Sequence, residues 1–183
     1  MNAAKFTLSP QTRVRHPELL SMGDGSIIDD FCYISTRLSI GRHTHLASGC
    51  SIAGGATRHC SIGDYSSLSS GVKIWCTSND FVNDLVMICP DGGDPGFSVI
   101  SGDVTLANFT GVGSNTVIMP DNTIPEGAVI GALSFVPSRF KFEAWSVYAG
   151  SPVRLIKPRN KERVLRQVKV IDQHLGIGRP DAG

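Results

Sequence analysis

Aliphatic residues recur along this chain at every sixth position. From Ile28 the series runs through Ile34, Ile40, Leu46 and Ile52, and after four extra residues resumes at Ile62, Leu68 and Ile74. After a longer break it resumes at Ile100 and continues through Leu106, Val112, Ile118, Ile124, Ile130 and Val136. The residue four places further on is mostly small, as at Cys32, Thr44, Cys50, Ala56, Ser66, Thr110, Thr116, Ala128 and Ser134. A helix would repeat at three and four, and a lone strand at two. A period of six suits a chain that runs briefly as a strand, turns and repeats. One aliphatic then fills the interior on each side, and a small residue fits near the corner. Three sides close a coil of eighteen residues, and coils stack at the strand spacing of about 4.8 Å. The pattern predicts an all-β, parallel β-helix whose backbone groups pair with the coils above and below.

The repeat predicts three regions. Residues 1–21 are an N-terminal segment with a short strand or helix. Residues 22–136 are the β-helix, with a loop at 77–98; from Ile74 to Ile100 the chain carries twenty residues beyond the expected six. Residues 137–183 form a C-terminal cap with a short strand, WSVYAG, and a terminal α-helix in NKERVLRQVKVIDQHL. In that helix Val164, Leu165, Val168 and Ile171 have helical spacing, and Gly176 follows its end. The helix is expected to fold back on the solenoid.

Composition narrows the classes. A formal net charge of +1 gives no reason to expect nucleic acid or a membrane surface as partner. Five cysteines without CxxC spacing make a poor disulfide framework and a poor zinc site. Cys32 and Cys50 lie eighteen apart and are expected one above the other inside, as small core hydrophobes rather than catalytic thiols. MNAAKFTLSP lacks a basic-then-apolar signal pattern, and no apolar run reaches membrane-spanning length, so a cytoplasmic protein is expected. The RHTH run places His43 and His45 on one side of a coil, where a metal would need a third histidine. His59 and His174 fall at no matching place, and the pair is read as a solvated or interface face, with no metal site assigned.

The repeat, together with VGSNTVIMPDNTIPEGAVIGALSFVPSRFKFEAWSVYAGSPVRLIKP from Val112 to Pro158, resembles the hexapeptide-repeat acyltransferases over roughly residues 22–160. The resemblance implies a left-handed β-helix, acetyl-CoA as co-substrate, and a homotrimer with its sites in clefts between neighbouring solenoids. It also implies that the extruded loop, with its turn-rich PDGGDPG, covers the site. Relatives of the sugar and xenobiotic acetyltransferase type open this loop with a histidine that deprotonates a hydroxyl acceptor. Here the matching run is Ser78-Asn79-Asp80, and Asn79 stands where that histidine would be.

An amide cannot serve as a general base. A neutral amine needs none, because its lone pair attacks a thioester directly. The departure therefore favours an amino-sugar acceptor. By similarity to base-less N-acetyltransferases of nucleotide-linked amino sugars for surface polysaccharides, Asn79 is expected to orient the acceptor. Asp80 is expected to bind its ammonium form or collect its proton. His59, in the four-residue insertion, is a reserve base. Backbone groups near Gly113, Gly131 and Ala132 are expected to meet the pantetheine arm of CoA, with Ser134 either a contact or interior. Arg139, Lys141, Arg154 and Lys157 are candidates for the CoA phosphates. Three alternatives stay open: an O-acetyltransferase of a sugar or antibiotic that uses His59 or Asp80 as base, a non-catalytic β-helix, and a metal-dependent hydratase.

Overall fold

A computed structural model of the chain describes residues 6–80 and 99–176. The interior of the loop, including PDGGDPG and Cys89, lies outside the described residues. The six-residue rungs form the three faces of a left-handed parallel β-helix. Leu8, Ile28, Leu46, Leu68, Val112, Ile130 and Tyr148 stack in register on the first face. Val14, Ile34, Ile52, Ile74, Ile118 and Val136 stack on the second. Met22, Ile40, Ile62, Leu106 and Ile124 stack on the third. From Ile28 to Val136 these rungs are buried, and each contributes on the order of 2 kcal/mol by leaving water.

The residue four places on must be small because it points into a corner. There a hydroxyl can be satisfied by a carbonyl of the next coil: Thr44 donates to the Gly63 oxygen at 2.6 Å, and Thr116 to that of Gly131 at 2.9 Å. Cys32 and Cys50 are buried in consecutive coils, as their spacing requires. The thiol of Cys50 is pushed up by its contact with the Cys32 sulfur and then by burial, and that of Cys60 likewise by Cys76 and by burial.

The solenoid is longer at both ends than the repeat suggests. Thr7–Leu8, Arg13–Val14 and Leu20–Met22 complete a coil before the expected start. Its signal is weak because a short 3₁₀ turn at Pro17–Leu19 spaces Val14 and Met22 by eight. Beyond Val136, Ser146–Ala149 continues the first face, and Arg154–Pro158 closes it antiparallel. Phe140, Phe142 and Tyr148 pack edge to face at this end, with centroids 4.8–5.8 Å apart.

Two expected rungs are corrected. Ile100 lies in Val99–Ser101, which pairs antiparallel with Thr77–Asn79, so it belongs to the stem of the loop and not to a face. In this coil the second-face rung is Ile74, and the third-face rung is Leu106, opposite Ile62. Thirty-two residues separate Ile74 from Leu106 where a regular side has six, so the extrusion adds twenty-six, not twenty. Ala56 is exposed in the smaller insertion, and Cys60 takes its place inside, opposite Leu38.

The C-terminal helix, Lys161–His174, starts at Asn160, whose side chain accepts from the Arg163 amide at 2.8 Å. It returns to the corner between the third and first faces, where Val168 and Asp172 are buried and the Tyr65 hydroxyl donates to Asp172. Along this corner His43, Tyr65, Phe109 and Trp145 stack at 5.1–6.0 Å, all in the left-handed backbone region. Gly127 belongs to the same column, and a side chain there would collide with the Trp145 ring that covers it.

Candidate active site

Both insertions leave the solenoid at one corner, between the second and third faces, in consecutive coils. The smaller is built into the strand Ser51–Ile62. Thr36, itself buried, ties it down by donating to the carbonyls of Gly55 and Arg58 at 3.0 and 2.7 Å. The larger opens at Cys76, whose amide donates to the Ala53 oxygen at 2.7 Å, and returns at Gly102, whose amide donates to the Cys76 oxygen at 3.0 Å. Thr77 bridges the two insertions by donating to the Gly54 oxygen at 3.3 Å.

Asn79 ends the outgoing limb of the stem, in register with Val99, and Asp80 follows it; both are partly buried and engaged in contacts. His59 lies at the same corner, one coil earlier. Its Nε2 is 2.9 Å from the Ser39 hydroxyl, and its amide donates to Asp103 Oδ1 at 2.9 Å. Asp103 was not singled out by sequence reasoning. It follows directly on the loop stem and ties its return to the smaller insertion. The three residues assigned to the acceptor end, Asn79, Asp80 and His59, therefore belong to one corner.

The residues assigned to CoA divide differently. Gly113, Gly131 and Ala132 lie at the corner between the first and second faces, one side of the solenoid away from Asn79. The amides of Gly113 and Gly131 already donate to Ile130 and Tyr148 along the ladder, at 2.8 Å each. Ala132 is exposed, and its amide has no such partner among the described residues. Ser134 takes the interior reading: it is buried, and its hydroxyl donates to the Gly131 oxygen at 2.8 Å and accepts from the Gly150 amide at 3.1 Å. A contact with CoA is thereby removed from it.

Arg139 and Lys141 line a cleft of about 320 Å³ at the later coils, where Arg139 pairs with Asp121 at 2.8 Å. Lys157 lines a separate cleft of about 420 Å³, with Arg163 of the helix, and Arg154 is exposed on the closing strand. The four cations thus form two groups, not one patch. His43 is stacked on Tyr65, and His45 pairs with Asp29 at 2.8 Å. Among the described residues no group of three metal-ligating side chains comes together, and no helix is long and apolar enough to cross a membrane.

No family profile matches the chain. A dTDP-4-amino-4,6-dideoxy-D-glucose acyltransferase of Escherichia coli is 33% identical over 146 residues, which cover 78% of this chain and 73% of that protein. The N-acyltransferase AntD of Bacillus cereus, solved with dTDP and 3-hydroxybutyryl-CoA, superposes with a TM-score of 0.82 at 28% identity, over 91% of this chain and 87% of that one. A variant of AntD solved with dTDP-4-amino-4,6-dideoxyglucose and coenzyme A gives 0.83 at 26% identity, over 93% and 90%. A hexapeptide-repeat acetyltransferase of Vibrio cholerae shares the fold, with a TM-score of 0.59 at 17% identity over 86% and 73%. With its six-residue rungs, its extruded loop and a relative matched along most of both chains, this protein belongs to the hexapeptide-repeat acyltransferases.

Proposed function

We propose that the protein transfers an acyl group from acyl-CoA to the amino group of a nucleotide-linked amino sugar, with acetyl-CoA as the first donor to test. The observation that carries this reading is Asn79-Asp80 at the mouth of the loop, in place of a histidine base. The neutral amine attacks the thioester carbonyl carbon, the C–S bond breaks, and the thiolate leaves as CoA thiol after gaining a proton. The amine nitrogen sheds a proton as the amide forms. In this reading Asn79 orients the amine through its side-chain amide, and Asp80 receives the proton that is shed. The kinship with enzymes named for dTDP-amino-sugar acylation supports the acceptor class. The 3-hydroxybutyryl-CoA bound to AntD makes longer acyl groups worth including.

The Ala132 amide is suited to pair with an amide of the pantetheine arm, as one strand edge does with another. Arg139 and Lys141, or Lys157 and Arg154, would meet the CoA phosphates. The acceptor residues and Ala132 lie on different corners, separated by a side of about six residues, on the order of 15–20 Å. A cleft between two copies would bring one chain's loop corner to its neighbour's Ala132 corner. This supports a homotrimer, to be checked by light scattering on the eluting protein. Supply of acyl-CoA and nucleotide sugars places the enzyme in the cytoplasm, in surface-polysaccharide synthesis such as that of lipopolysaccharide.

The test is thiol release from acetyl-CoA and 3-hydroxybutyryl-CoA against dTDP-linked and UDP-linked amino sugars and their hydroxyl counterparts. Turnover of amines alone supports the reading. Turnover of hydroxyls overturns it in favour of an O-acyltransferase, for which His59, hydrogen-bonded to Ser39, is the base to remove first.

A further inference from the structure

One edge of the third face carries a column of charge beside the loop. Arg37 is the register partner of His59 on the adjacent strand. Asp103 and Asp121 precede the register partners Val104 and Asn122, and Arg139 closes the column on Asp121. Read along the solenoid axis, the column is Arg37, His59, Asp103, Asp121, Arg139. Its two ends differ. Arg139 has a carboxylate, whereas the guanidinium of Arg37 has no acidic partner among the described residues.

Arg58, next to His59, has none either. Its backbone is fixed by the bond from Thr36 to its carbonyl. Gly54 forms the floor beside it: a Cβ there would sit 2.5 Å from the Cys76 Cβ and 3.3 Å from that of Arg58. Only a residue without a side chain lets the smaller insertion approach Cys76 and Arg58 this closely at the opening of the loop. The Cys76 thiol is drawn down, first by its contact with the Cys60 sulfur and in smaller part by the charge of Arg58, which agrees with that proximity.

At the loop corner these two guanidiniums, on adjacent strands, have no carboxylate among the described residues to neutralise them. An anion relieves this, and a guanidinium fork matches phosphate oxygens in pairs. We infer that Arg37 and Arg58 hold the diphosphate of the nucleotide-linked acceptor, beside the loop mouth at which Asn79 and Asp80 meet its amine. This assignment rests on the acceptor class proposed above and adds the residues that select a nucleoside diphosphate. The acyl-CoA phosphates are left to the cations of the later coils.

The experiment is calorimetric binding of dTDP, thymidine and CoA to the full chain, for the wild type, Arg37→Gln, Arg58→Gln and the double variant. Thermal unfolding is measured in parallel. Each single change is expected to weaken dTDP by about 10-fold and the double change by about 100-fold, the range for lost charged hydrogen bonds. Thymidine and CoA should stay within about two-fold. Lysine at either position should restore part of the dTDP affinity. Unchanged dTDP affinity in the double variant overturns the assignment, as does an equal loss of dTDP and CoA. A wild type that acylates amino sugars but responds in either of those ways loses only this assignment. A wild type that neither binds dTDP nor acylates an amino sugar overturns the functional reading itself.

Discussion

Two corners of the solenoid depart from the plain repeat, and they do so in opposite ways. Between the third and first faces no residues are added. The corner positions become aromatic, stack from His43 to Trp145, and are covered by the C-terminal helix through Tyr65 and Asp172. Arg159 is held there too, donating to the Gly127 oxygen at 2.9 Å, and its ionisation is pulled down by burial. Between the second and third faces the chain is lengthened by two, four and twenty-six residues in three of the coils, and the described residues of the two larger insertions are partly open. Both corners rest on the same rungs. On the proposed function the first corner serves packing and the second chemistry, because a solenoid corner is the one place where length can change without breaking the ladder on either side.

If that contrast is right, the two corners should separate activity from stability. The largest effect is expected at the loop mouth: Asn79→Ala and Asp80→Ala should each lower kcat/KM for an amino-sugar acceptor by about 10²–10³-fold. Their unfolding midpoints in urea should stay near wild type. A matched loss of stability would mean that this corner is structural after all. Beneath it, Ile74→Ala should cost about 2–5 kcal/mol in the same melts, as a fully buried rung.

At the opposite corner Tyr65→Phe should cost about 1–2 kcal/mol, since it leaves the buried carboxylate of Asp172 without that hydroxyl. Its kcat/KM should be unchanged; a large loss of activity would break the division of labour. The smallest effect on turnover is expected from His59→Ala, at most about three-fold with amines and with no lost limb in the pH–rate profile. A lost limb would make His59 a base.

The buried thiols add a pH test of the interior on which both corners rest. Raised above their ordinary value of 9.0, Cys50 and Cys60 stay neutral in the folded chain while the unfolded chain ionises. Their contribution is therefore fully present below about pH 9 and is lost as pH rises further. Cys32 and Cys76 are shifted down by the same contacts and oppose this below pH 9, so urea melts between pH 8 and 10.5 should show stability falling above pH 9 but not below it. Cys50→Ala together with Cys60→Ala should flatten that fall.

Much of the site could be read in the chain, and the rest was hidden for a definite reason. Asn79-Asp80 stood out because a polar run breaks a strict period. The extent of the break was masked by Ile100, an aliphatic that falls in phase with the later repeat yet belongs to the loop stem. With the true insertion placed, the charged column becomes arithmetic. His59 lies one coil and four residues after Arg37, Asp103 one coil and twenty-six after His59, and Asp121 and Arg139 one coil apart thereafter. Ser134 illustrates the converse. Its small side chain fits the corner rule and a ligand contact equally well, and only the bonds to Gly131 and Gly150 decide between them.

By itself, then, the sequence determined the period, the three-sided coil, the stacked cysteines, the terminal helix and the place of Asn79-Asp80 at the break in the repeat. These follow from side-chain size and spacing, which act locally and repeat. The tertiary structure alone decided that both insertions share one corner, that Tyr65 and Trp145 meet the returning helix, and that Arg37 and Arg58 have no carboxylate partner among the described residues. The reason is that pairing between coils joins residues eighteen or more apart, and each insertion resets that distance for everything that follows.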